Sequence, residues 1–182
     1  MEDFAYILDY LPQGSPSEMS FKHEPTCYAV GSEEFKLFEL VPRPGVVTSP
    51  GDRVYIGKEM DRREHIIHVK RRLSYDELTS NSQSELPHTL EHVVLDQEPR
   101  FIRFFNEAQP ITTRLHTLEL LPGLGKKSMW SIIEERKKEK FRDFADLRQR
   151  VPAFHSPAKI VARRITEELS NQEQKYRIFV SR

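Results

Sequence analysis

Leu120-Leu121-Pro122-Gly123-Leu124-Gly125-Lys126-Lys127, followed by Ser128-Met129-Trp130-Ser131-Ile132-Ile133, sets a tight turn directly before a helical period. Met129, Ile132 and Ile133 recur at helical spacing and the stretch runs into the charged end Glu134-Glu135-Arg136-Lys137-Lys138, so a helix is expected over 127–138. Upstream, Ile111 to Leu120 reads as another helix. Its Ile111, Leu115 and Leu118 share a face, and Thr112, Arg114 and His116 lie off it. Two glycines one residue apart permit positive φ and leave no side chain between the backbone and an approaching group. Leu124, set between them, is expected to plug into the core. The unpaired N–H groups at the start of the next helix, with the helix dipole, can hold a phosphate oxygen; Lys126 and Lys127 add full charge beside them.

This stretch resembles the helix-hairpin-helix motif, and the residues expected to contact nucleic acid there are Gly123, Leu124, Gly125, Lys126, Lys127, Ser128 and Arg114. Binding of this kind grips the backbone and is largely indifferent to base identity. Helices expected over 143–150 and 157–168 resemble a second copy, but its turn, Pro152-Ala153-Phe154-His155-Ser156-Pro157, lacks both glycines. That second unit is expected to support the first, with Lys159, Arg163 and Arg164 at the periphery. Tyr176-Arg177-Ile178-Phe179-Val180 alternates as a closing strand would.

Outward toward the N-terminus the period changes to two. Candidate strands are Phe4 to Leu11, Thr26 to Val30, Phe35 to Val41, Arg53 to Ile56 and His65 to Lys70, with a long polar loop from Gln13 to Pro25. Five short strands suggest a small antiparallel barrel similar to the oligonucleotide-binding (OB) barrel. Tyr28, Phe38 and Tyr55 are its candidate stacking aromatics. Between barrel and turn, Leu86 to Gln97 and Arg100 to Ala108 read as helices separated by Pro99 and Pro110. The expected class is therefore α+β: an OB-like β-barrel domain over 1–80, linking helices over 81–110, tandem helix-hairpin-helix units over 111–174 and a C-terminal strand over 175–182.

The formal net charge of zero hides a division. Residues 1–99 hold 10 Lys+Arg against 18 Asp+Glu, a balance of −8, and residues 100–182 hold 18 against 10, a balance of +8. A basic half suits a polyanion, and an acidic half suits a protein partner or none. Lys70-Arg71-Arg72, closing the last strand of the acidic half, reads equally as an extension of the phosphate track or as a solvated strand end.

Phe105-Asn106-Glu107-Ala108-Gln109-Pro110-Ile111-Thr112-Thr113-Arg114-Leu115-His116, running on to Gly123, is similar to the archaeal family known as domain of unknown function 655. So are Val54-Tyr55-Ile56-Gly57, His68 to Thr79 and Ser84-Glu85-Leu86-Pro87. The resemblance implies an archaeal cytoplasmic protein, an RNA-binding role, a barrel-like N-terminal part and a helix-hairpin-helix part. It names no catalytic residue. Motifs related to the hairpin can seat a monovalent cation; no other cofactor is expected.

Other chemistries find little support. No apolar run approaches a membrane span, and Met1-Glu2-Asp3 is acidic where a signal peptide is basic. Lone Cys27 supports neither a disulfide nor a thiolate metal site, and the pairs His65/His68 and His88/His92 lack further ligands. A glycosylase-like role for Asp143 or Asp146 lacks the surrounding pattern, and Asp143 is better read as a helix N-cap. The expectation is a non-enzymatic, intracellular, non-membrane protein binding RNA, with DNA the alternative polymer and a protein-interaction adaptor in a ribosomal or transcription assembly the alternative role.

Overall fold

The computed structural model describes residues 2–16 and 24–181. Most of the expected Gln13–Pro25 loop lies outside the described residues. The chain forms two compact units, residues 1–89 with 168–182 and residues 90–167. Both divisions fall inside helices, α1 (Ser80–Asp96) and α5 (Pro157–Ser170), and not at the turns where composition changes.

The first unit is built on β1 (Phe4–Leu11), β2 (Thr26–Gly31), β3 (Leu37–Pro42), β4 (Arg53–Tyr55) and β5 (Ile66–Leu73), all antiparallel in the order β4-β1-β2-β3-β5. Ala5, Ile7, Cys27, Ala29, Leu40, Val54 and Ile66 share one buried cluster, as period-2 patterning requires. The central strand β2 is buried along its whole length. Register shifts at Ile7/Asp9, Glu39/Leu40 and Val41/Pro42 bend the sheet into a curled half-barrel. Among the described residues β4 and β5 share no ladder. Arg63 spans them: its guanidinium donates to the carbonyls of Ile56 (3.0 Å) and Gly57 (2.8 Å) after β4 and of Ile67 (3.0 Å) in β5.

Buried acids tie this unit together. Glu2 accepts from the backbone of Glu33 (2.6 Å) and Glu34 (2.7 Å). It thereby holds a β2–β3 turn in which Phe35 has φ of 56°. Glu168 accepts from Ile178 (2.8 Å), Phe179 (3.0 Å) and Val180 (2.9 Å). The strand expected over 176–180 does not form, because this one carboxylate takes the N–H groups a ladder would have used.

In the second unit α2 (Glu98–Glu107), α3 (Lys126–Lys138) and α4 (Phe144–Arg150) pack around Phe101, Phe105, Leu118, Ile132, Leu147 and Phe154. Phe105 meets Phe144 and Phe154 edge-on, with centroids 6.5 and 5.4 Å away. Arg136 of α3 caps the end of α2 through the carbonyls of Phe105 (2.9 Å) and Ala108 (2.8 Å). The helix expected over 111–120 is absent. A small hairpin, β6 (Pro110–Thr112) and β7 (Leu115–His116), stands there, followed by a 3-10 turn over Thr117–Leu120. Local chemistry outweighs the apolar spacing: Thr112 and Thr113 are β-branched, and Thr117 bonds back to the Gln109 carbonyl through both Oγ1 (2.6 Å) and N–H (3.2 Å). Leu118 remains fully buried.

Candidate nucleic-acid interface

The 3-10 turn that leads into Leu121 is set by His116. Its Nδ1 accepts from Leu118 N–H (3.1 Å) while Glu119 accepts from His116 N–H (2.8 Å), a reciprocal cap. Burial, and then the nearby Arg136 charge, push His116 below the ordinary imidazole value, which keeps the acceptor nitrogen free. Leu121 and Leu124 are buried, and Leu124 N–H donates to the Leu121 carbonyl at 3.2 Å. Leu124 is thus the plug that the sequence implied.

The two glycines differ. Gly123 has φ of 81°, the left-handed region. Gly125 is the N-cap of α3 at φ −74°, ψ 165°, an extended conformation open to any residue. A Cβ on either would meet nothing within 4 Å. The expectation that both glycines supply positive φ therefore holds for Gly123 alone, and neither is needed for packing. Gly125 O accepts from Met129 N–H (3.0 Å), opening the helix, and the N–H groups of Gly125, Lys126, Lys127 and Ser128 have no acceptor among the described residues. Lys126 and Lys127 are exposed, with no carboxylate partner among the described residues. Arg114 is exposed at the tip of the β6–β7 hairpin in the same unit, not on a helix face. A cation at the hairpin would draw on the turn's carbonyls. Those of Leu118 and Leu121 each accept one N–H, from Leu121 and Leu124, and keep a second lone pair.

The second turn provides an internal comparison. Phe154 is buried and its N–H donates to Val151 O at 2.9 Å, repeating the Leu124–Leu121 bond. Ala153 stands where Gly123 does, without positive φ, since among the described residues only Phe35 of the non-glycines has it. Of the expected peripheral cations, Lys159 is exposed, Arg163 faces Glu167 at 3.4 Å, and Arg164 is buried. Asp143 caps α4 by accepting from Asp146 N–H (2.7 Å). Asp146 in turn accepts from Arg142 N–H (3.1 Å) and Arg150 (3.3 Å).

Lys70, Arg71 and Arg72 belong to the first unit. Lys70 and Arg71 turn to the buried Glu39 carboxylate, at 3.1 and 2.7 Å, and Arg71 also meets Glu77. Arg72 is exposed and makes no ion pair among the described residues. Two of the acids behind the −8 balance, Glu2 and Glu39, are turned inward. Tyr28 and Phe38 are buried, and Tyr55 is flanked by Phe4 (5.3 Å) and Arg62 (4.4 Å), so the strand aromatics are engaged within the fold. The large exposed ring is Trp130 of α3, 56% accessible, which the apolar period read only as part of a helix.

Among the described residues no group of three or more His, Cys, Asp or Glu side chains is placed to hold a metal, and no helix is long and apolar enough to cross a membrane. Fold and site together define an α+β protein in which a curled antiparallel sheet accompanies a helical unit bearing a bare-backbone turn. The chain belongs to the family described as protein of unknown function (DUF655), whose model matches residues 1–181. It is 47% identical over 180 residues to an uncharacterized protein of Methanocaldococcus jannaschii, covering 98% of this chain and 80% of that one. A crystal structure of a DUF655 protein from Archaeoglobus fulgidus matches with a TM-score of 0.91 at 44% identity, over 99% of this chain and 100% of the other.

Proposed function

We propose that this protein binds nucleic acid without acting on it chemically, RNA being the favoured polymer, and holds the phosphate backbone on the turn 121–127 and the first turn of α3 as a helix-hairpin-helix does. The observation that carries this reading is Gly125: neither its φ nor its surroundings require a glycine, yet it leaves bare backbone where successive N–H groups have no acceptor, and two lysines no carboxylate, among the described residues. Donors of this kind at a helix start suit a phosphate oxygen, and the flanking charges strengthen the bonds. Lys126, Lys127 and Arg114 are the cationic contacts. The curled five-stranded sheet is compatible with an OB-like relationship, but its aromatics are engaged internally, which moves the weight of the reading onto α3. The preference for RNA comes from the family resemblance, because phosphate donors do not distinguish the two polymers.

The test is fluorescence anisotropy of the purified protein with single-stranded RNA, structured RNA, single-stranded DNA and duplex DNA, each across a salt titration. Binding that weakens linearly in log–log form with salt is expected. Absence of binding to all four at low salt overturns the proposal.

A further inference from the structure

Trp130 stands outside the core of its unit. It is the sole tryptophan of the chain and lies 56% exposed, while the buried face of α3 is made by Met129, Ile132 and Ile133. Helical geometry sets it one turn from the candidate phosphate site: residues three and four apart share a face, so Trp130 stands with Lys127 and Lys126. Its Cα is about 6 Å along the axis from that of Lys126. Helical side chains tilt in general toward the N-terminus, the end of α3 that follows the hairpin. Glu134, one turn further on and exposed, ends the basic stretch. The resulting face is short: donors and cations at one end, one aromatic plane next to them, then a carboxylate.

We propose that Trp130 is a stacking platform, on which a single-stranded segment held by its phosphate at the hairpin lays one unpaired base. The proposal rests on the hairpin reading and deepens it by naming the ligand class. In a nucleotide only the sugar separates phosphate from base, so a backbone anchored at the start of α3 brings a neighbouring base within reach of the next turn. Every base has a π-face, so the contact needs no particular sequence. A continuous duplex cannot offer that face without unstacking a pair, which costs a few kcal/mol. The site therefore selects unpaired strand over duplex through one residue.

The sole tryptophan is also the reporter. Full-length protein is titrated with an oligouridine and with a long duplex RNA whose two end faces are a small fraction of its binding sites, following anisotropy of the labelled RNA and tryptophan emission in parallel; Trp130→Ala and Trp130→Phe are titrated by anisotropy, with thermal melts confirming that both fold. The expected result is saturable quenching by oligouridine, little change with duplex, and a roughly 10- to 100-fold loss of oligouridine affinity in Trp130→Ala, the range that base stacking on an aromatic supplies. Trp130→Phe should recover most of that loss, and duplex affinity should not move. Oligouridine binding that leaves emission unchanged and survives Trp130→Ala would overturn the stacking proposal and leave the hairpin reading standing. Binding that is lost in Trp130→Ala but unaffected by Gly125→Ala and Lys126→Ala/Lys127→Ala would instead sink the hairpin reading and, with it, the anchored-strand geometry proposed here.

Discussion

Gly125→Ala separates the folding of the turn from the approach of a ligand to its backbone. Gly125 already has extended backbone angles, and the added methyl meets nothing within 4 Å, so no strain or clash arises. Alanine is the poorer N-cap, by about 0.5–1 kcal/mol. Losing glycine's freedom in the unfolded chain returns about 0.4–1 kcal/mol. The two nearly cancel, and the melting temperature should stay within about 2 °C of wild type. Gly123→Ala differs because its φ of 81° strains an alanine by about 1–2 kcal/mol, so that variant should melt a few degrees lower. Binding should respond the other way round at Gly125. A methyl over the open N–H groups displaces a phosphate from one or two charged hydrogen bonds worth about 1.5–3 kcal/mol each, a loss of about 10-fold to 100-fold or more. Thermal unfolding and anisotropy on the same preparations measure both. A Gly125→Ala protein that melts normally and binds as tightly as wild type would refute the idea that this backbone is approached at all.

Four further outcomes follow from the geometry. Lys126→Ala and Lys127→Ala should each lower the slope of log K against log salt by about 0.7 on a single strand, with no change in melting temperature; an unchanged slope would remove the lysines from the contact. Glu39→Gln removes the buried anion from Lys70 and Arg71, both of which stay partly solvated while Arg71 keeps Glu77, and should cost about 1–3 kcal/mol in a denaturation titration, whereas no measurable loss would show that the pairing does not hold the sheet together. Arg63→Ala, which removes the donor spanning β4 and β5, should cost about 2 kcal/mol by the same measurement and leave RNA affinity unchanged if the half-barrel is only a scaffold. His116 has a folded pKa below its unfolded value of about 6.5, so the unfolded chain takes up the proton first: its stabilising effect is complete above about pH 6.5 and is lost as pH falls through the window beneath it. His116→Asn keeps an acceptor for Leu118 N–H without titrating, and its melting temperature should fall less than wild type's below that pH; parallel curves would contradict the assignment.

What was legible in the sequence follows the range of the forces involved. All five strands of the sheet could be placed within a few residues, because alternation records which side chain faces the core and every strand but β2 has one wetter face or end. The helices of the second unit were legible for the same reason at period 3.6, and Asp143 as a cap because N-capping is local. Two patterns misled. Ile111, Leu115 and Leu118 fall at helical spacing, yet the threonines around them favour extended backbone, so a hairpin forms and only Leu118 keeps the burial the pattern implied. Tyr176 to Val180 alternates, but alternation cannot reveal that Glu168 takes the backbone donors a strand would need. Glu2, Glu39 and Arg63 were invisible as structural groups, since a charge in a sequence is read as surface until the fold brings its partner near.

The turn itself shows how far a motif alone can be trusted. Leu121-Pro122-Gly123-Leu124 and Val151-Pro152-Ala153-Phe154 close by the same backbone bond and bury the same plug position, one with glycine and one without. Glycine is therefore not what makes this turn. In the first copy the residue after the plug is Gly125, which directly caps α3; in the second, His155 intervenes before α5 and Pro157 removes an N–H from the helix start. Both copies support the core, and both helix starts leave N–H groups without an acceptor among the described residues; in the first these donors stand beside a bare glycine, in the second they follow a proline and every neighbouring residue carries a side chain. A substitution that restores a side chain at Gly125 is therefore expected to leave the first turn folded and plugged, as the second is, while removing the bare backbone on which the proposed phosphate contact depends.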